Sequence, residues 1–128
     1  MKITIAEGSG FCFGVKRAVE MAHKRVSSDR SGKVFSLREI IHNPQEVKKL
    51  EKAGARHIDT AAQAEKGSTV IVSAHGISPE EETELLAKKI DILDTTCPYV
   101  KKIHMIVKQL VDDGYEVVIV GDKDHFEV

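Results

Sequence analysis

The 128-residue chain contains no tryptophan, and aromatic residues make up only 5% of it. Flat rings on which nucleobases could stack are therefore scarce. Neither sign of charge dominates, since 19 Lys and Arg stand against 20 Asp and Glu for a formal net charge of −1. Such a balance offers no broad basic field to a phosphate backbone, and nucleic acid is not an expected partner. No apolar run approaches the roughly 20 residues of a membrane-spanning helix. The start, Met1-Lys2-Ile3-Thr4, lacks a secretory signal core. No membrane partner is expected, and the expected location is the cytoplasm. Cysteine is equally sparse, with only Cys12 and Cys97. In a reducing compartment a structural disulfide between them is not expected, and inert buried thiols are the ordinary fate of such a pair.

What is present is the composition of a folded domain, 41% hydrophobic and 30% charged. The length suits one ordinary core. Strands are expected at Lys2–Ala6, Lys33–Leu37, Thr69–Ser73, Asp91–Leu93 and Glu116–Val120, with a further short one at Arg56–Ile58. Between them fall helical stretches. Phe13–Val26 carries Val15, Ala18, Val19 and Ala22 on one face, and Cys97–Asp113 carries Val100, Ile103, Val107, Leu110 and Val111. Asn43–Gly54 is punctuated at both ends, with an Asn cap, Pro44 at the first helical position, Glu46 at the third and Gly54 as the stop. Ser78-Pro79-Glu80-Glu81 repeats that start signal. Strands alternating with helices imply an α/β fold, a mainly parallel open sheet with helices on both faces.

The reactive residues then fall into a pattern. Cys12, His42, His75, Cys97 and His125 each follow an expected strand, which assigns all five to one edge of the sheet, the edge where open α/β sheets bind ligands. His23 and His104 fall inside helices and His57 near a weak strand, so these three are expected to be surface or packing residues. Pro44, Pro79 and Pro98 all mark helix starts close to His42, His75 or Cys97. Helix N-termini favour anions and thiolates. An edge of two thiols, three imidazoles and several helix starts suits a metal centre beside a phosphate-bearing ligand.

Other readings of these residues exist. Gly8, Gly10 and Gly14 nearly spell the dinucleotide fingerprint, with Glu39 as a ribose acid, but the third glycine stands one place late. A phosphate-binding P-loop fails because no Gly-Lys-Ser/Thr follows. Zinc held by Cys12, Cys97 and two histidines is chemically sensible but lacks the local spacing of structural zinc sites. Ordinary loop residues on an α/β domain, or a stand-alone module binding a phosphorylated ligand without redox chemistry, also fit the positions.

Several motifs carry a resemblance to a known family. Gly10-Phe11-Cys12-Phe13-Gly14-Val15-Lys16-Arg17-Ala18-Val19, Ile41-His42-Asn43, Ser73-Ala74-His75-Gly76-Ile77-Ser78, Asp94-Thr95-Thr96-Cys97-Pro98 and His125-Phe126-Glu127-Val128 stand in this order along the chain. They resemble the cysteine and histidine motifs of the 4-hydroxy-3-methylbut-2-enyl diphosphate reductase (IspH/LytB) family. The resemblance implies an iron–sulfur oxidoreductase of the non-mevalonate isoprenoid pathway that removes an allylic hydroxyl to give isopentenyl and dimethylallyl diphosphates. It implies Cys12 and Cys97 as ligands of a [4Fe-4S] cluster, His42, His75 and His125 as binders of the diphosphate, and Glu127 as the catalytic proton donor. A ferredoxin or flavodoxin is the implied electron donor. The family uses three cysteines where this chain has two, and Phe126 stands where the family usually has proline. Family chains are longer and built as three α/β lobes. The chain thus resembles an N-terminal portion, with residues 1–96 as a first lobe, residues 97–128 opening a second, and residues 1–12 packing with a last lobe.

Overall fold

The computed structural model describes residues 1–123, 125, 127 and 128, and the expectation attached to Phe126 lies outside the described residues. Four strands, β1 (Val34–Leu37), β2 (Arg56–Ile58), β3 (Thr69–Val72) and β4 (Asp91–Asp94), form one sheet in the order β2-β1-β3-β4. Every pairing is parallel, with Phe35 opposite Arg56 and Val70, and Val70 opposite Ile92. The two central strands, β1 and β3, are buried along their whole length, as a parallel sheet covered on both faces requires.

The helices are α1 (Phe13–Ser28), α2 (Pro44–Lys52), α3 (Pro79–Ala87) and α4 (Pro98–Asp112). Side chains alternate across the strands, so two cores form. Val34 and Ile71 join Ala18, Ala22 and Val26 of α1 and Leu50 of α2 on one face. Phe35, Leu37 and Val70 join Leu85 of α3 and Ala61 of a short 3-10 turn on the other. The expected starts of α2 and α3 are realised as hydrogen bonds. The Asn43 side chain accepts from the backbone N–H groups of Gln45 and Glu46, and Ser78 with Glu81 forms a reciprocal capping box.

Two expected strands are absent. Lys2–Ala6 and Glu116–Val120 are not paired, and Ile3, Ile5, Val118 and Val120 are 75%, 79%, 79% and 95% exposed. An apolar run marks a candidate strand, but a strand persists only where a neighbour satisfies its backbone N–H and C=O groups. Neither segment has that neighbour among the described residues. Helix α4 forms where expected yet buries none of its residues, so its apolar stripe lies open.

Candidate functional site

Chain connectivity sets the position of the site. From β1 the chain crosses through α2 to β2 on one side, and from β3 it crosses through α3 to β4 on the other. Helices α2 and α3 lie on opposite faces. The gap between the carboxyl ends of β1 and β3 is thus a topological switch point, where α/β sheets open a ligand crevice. His42 lies in the loop after β1 and His75 in the loop after β3. Their rings stack with centroids 4.5 Å apart, and the His125 ring lies 5.6 Å from each.

Backbone hydrogen bonds extend the sheet's cross-linking into these loops. The Ala74 N–H donates to the Ile40 carbonyl at 3.1 Å, and the Cys97 N–H donates to the Ala74 carbonyl at 2.9 Å. The fully buried Thr95 bonds through its hydroxyl to the Val72 carbonyl. At the turn after His75, Gly76 has φ +89°, and a β-carbon there would lie 3.0 Å from Cε1 of His104. Both the backbone conformation and the space favour glycine.

Burial lowers the His75 pKa below the ordinary 6.5, and the charge of His42 acts the same way, while Glu127 opposes them. His75 is therefore inclined to be neutral. The Glu127 backbone N–H donates to Nδ1 of His125 at 3.2 Å, which assigns that nitrogen as an acceptor. Nδ1 of His42 lies 3.9 Å from a Glu39 carboxylate oxygen. His75 and Glu127 line an open trough of about 1040 Å³, together with Arg38, Ile103 and Val107. Arg38 makes a two-pronged pair with Glu81 at 2.7 and 2.9 Å, tying the loop after β1 to the start of α3. That pair holds the Glu81 carboxyl below its ordinary pKa.

Both thiols are free, Cys12 exposed and Cys97 half-buried. Cys12 caps α1 and Cys97 caps α4, and neither side chain is used in a capping hydrogen bond. Uncommitted thiols at helix starts fit an iron–sulfur centre, which takes thiolate ligands. Among the described residues, no group of three or more His, Cys, Asp or Glu is arranged to hold a metal ion. The dinucleotide alternative also loses its frame. No strand precedes Gly8, and Gly14 faces the Cys97 sulfur.

Of the expected site residues, the structure brings His42, His75 and His125 together, sets Glu127 beside His125, and seats Cys97 against the first turn of α1, which Cys12 opens. His23 lies 3.8 Å from Glu46, and His57 makes a 3.1 Å contact with Asp59, both outside this group. Sequence reasoning passed over Arg17, whose guanidinium reaches the carbonyls of Thr95 and Thr96. It also passed over Arg38. Arg17 stands inside the Gly10–Val19 motif, but nothing in the motif's pattern assigned it a role.

Fold and site together define an α/β protein with an imidazole cluster at a topological switch point and free thiols at the starts of α1 and α4. Residues 3–128 match the family described as LytB protein, and the chain belongs to that family. It is 48% identical over 128 residues to a 4-hydroxy-3-methylbut-2-enyl diphosphate reductase of Geotalea daltonii, covering all of this chain and 44% of the relative. The corresponding reductase of Aquifex aeolicus is 49% identical over 126 residues, covering 98% of this chain and 43% of the relative. A solved structure of (E)-4-hydroxy-3-methyl-but-2-enyl diphosphate reductase, described as the terminal enzyme of the non-mevalonate pathway, aligns with TM-score 0.82 at 49% identity over 98% of this chain and 44% of its own. The E-1-hydroxy-2-methyl-but-2-enyl-4-diphosphate reductase of Plasmodium falciparum aligns with TM-score 0.88 at 36% identity, over 94% and 38% of the two chains. The chain therefore spans less than half the length of these relatives. No helix among the described residues is long and apolar enough to cross a membrane.

Proposed function

We propose that this chain acts as the N-terminal portion of a cytoplasmic iron–sulfur reductase that converts 4-hydroxy-3-methylbut-2-enyl diphosphate to isopentenyl and dimethylallyl diphosphates. The observation that carries this reading is the packing of His42, His75 and His125 at the switch point, with Glu127 adjoining them, in a chain that matches the family from residue 3 to residue 128. In such an enzyme residues 1–96 form the first lobe, residues 97–128 open a second, and residues 1–12 pack with a last lobe outside this chain.

Each residue's part follows from its chemistry. His42, His75 and His125 bind the diphosphate, and an anion there favours the protonated His75 imidazole that burial and the His42 charge otherwise disfavour. Glu127 donates one proton to the substrate's allylic hydroxyl, so that the C–O bond breaks with water as the leaving group, and a second proton, drawn from solvent, joins the two incoming electrons to form the new C–H bond. Cys12 and Cys97 would hold two irons of a [4Fe-4S] cluster, with a third cysteine supplied from beyond this chain. When bound, that cluster supplies the electrons that replace the broken C–O bond, drawn in turn from a ferredoxin or flavodoxin.

The competing reading is a phosphate-binding module without redox chemistry. The two separate in a chimaera in which residues 1–128 replace the matching part of the Aquifex aeolicus reductase. Anaerobic reconstitution should give the brown absorbance of an iron–sulfur cluster, and Cys97→Ser should remove most of it. A colourless chimaera that still binds diphosphate would leave only the module.

A further inference from the structure

Helix α1 does more than carry Cys12. Gly14 is buried, and a β-carbon built on it would lie 2.5 Å from the Cys97 sulfur and 3.0 Å from the Cys97 β-carbon. Any side chain at position 14 would displace Cys97. Three residues on, on the same helical face, Arg17 donates from Nη1 to the Thr95 carbonyl at 3.3 Å and the Thr96 carbonyl at 3.2 Å. These are the two residues immediately before Cys97. Gly14 thus admits the sulfur, while Arg17 grips the peptide that leads into it.

Cys12 is bound into α1, its carbonyl accepting the Lys16 N–H at 2.9 Å. The Cys97 N–H is tied to Ala74 on the sheet side. Val15, Val19 and Leu93 pack against the same core, and Thr95 bonds the loop after β4 to the Val72 carbonyl of β3. The join between α1 and the Cys97 loop is the Gly14–Arg17 face. Guanidinium suits this work because the two N–H bonds of Nη1 are fixed in its plane and can meet both carbonyls, whereas a lysine ammonium rotates freely.

We infer that Gly14 and Arg17 are positioning residues that set the separation of the Cys12 and Cys97 thiols. The inference rests on the proposed role of those thiols as paired ligands. It is tested without iron, so its failure is distinguishable from failure of the reductase reading, which cluster absorbance decides.

The probe is dibromobimane, which becomes fluorescent when it bridges two thiols, applied to this chain under reducing, anaerobic conditions. The native chain should bridge Cys12 to Cys97. Arg17→Met, which keeps the stem and removes the Nη1 donor, should bridge about tenfold more slowly, as expected when held geometry is lost. Its thermal midpoint and single-thiol alkylation should stay near native, and Arg17→Lys should recover part of the rate. Gly14→Ala should also slow bridging, since alanine suits the helix but not the sulfur. Native bridging rates in folded Arg17→Met would overturn the inference, as would absence of bridging in the native chain. Should Arg17→Met fail to fold, Gly14→Ala decides, and a native rate there overturns it.

Discussion

Among single residues, His75 offers the sharpest test of the site. Its pKa is lowered from 6.5 first by burial and then by the His42 charge, so the unfolded chain binds this proton more readily than the folded one. The stability from keeping it neutral is therefore complete above about pH 6.5 and declines as the pH falls through that value toward the folded pKa. Urea midpoints should drop between about pH 7 and pH 5.5, and by less in His75→Gln. An equal drop in both would remove His75 as the cause. A bound anion should reverse the preference. Calorimetric affinity for inorganic diphosphate should rise as the pH is lowered toward 6.5, and His75→Ala should weaken it by about tenfold. The place of His75 after a strand was legible in Thr69–His75, but its stacking on His42 was not. Residues 33 positions apart meet only through strand order, which no local pattern encodes. Arg38, with φ +59°, was hidden for a related reason. Arginine is not a turn residue, and its left-handed backbone is imposed by tertiary contacts with Glu81 and, through its backbone N–H, Ile58.

At the scale of elements, helices were easier to read than strands because their ends carry chemistry. Asn43, Pro44 and Glu46 announced α2, and the structure realises that start as two hydrogen bonds to Asn43. Asn43→Ala should therefore cost about 1 kcal/mol in chemical denaturation, and a loss within experimental error would deny the cap its role. In α3, Glu81 both completes the capping box and receives Arg38. The hydrogen bond from Arg38 lowers the Glu81 pKa from 4.5. Stability from this pair is full above about pH 4.5 and is lost as the pH falls toward the folded value. Arg38→Met should flatten that part of the acid-denaturation profile, and an unchanged profile would assign it to other carboxylates. Strands such as Thr69–Val72 were legible from their β-branched run, whereas Lys2–Ala6 and Glu116–Val120 had the same apolar sign without a neighbour to pair with.

For the molecule as a whole, the four-stranded sheet between its two cores should be the last region to open. Amide exchange should be slowest in β1 and β3 and fast in residues 1–6 and 115–120, and protection of those outer segments in this chain would contradict the arrangement described. The α/β class and the place of His42 and His75 at one edge followed from the alternation of strands and helices, whereas His125 joins them although the strand expected before it, Glu116–Val120, is not formed, and the switch point needed the order β2-β1-β3-β4. His42, His75 and His125 pack together and Cys97 lies against α1, the helix that Cys12 opens, within a family whose named relatives are diphosphate reductases. The most direct measurement is turnover of 4-hydroxy-3-methylbut-2-enyl diphosphate by the Aquifex chimaera carrying residues 1–128. It should form isopentenyl and dimethylallyl diphosphates, with Glu127→Gln keeping the cluster absorbance and losing about a hundredfold or more of the rate. A chimaera with an intact cluster and no turnover, or undiminished turnover in Glu127→Gln, would contradict the roles assigned to this edge.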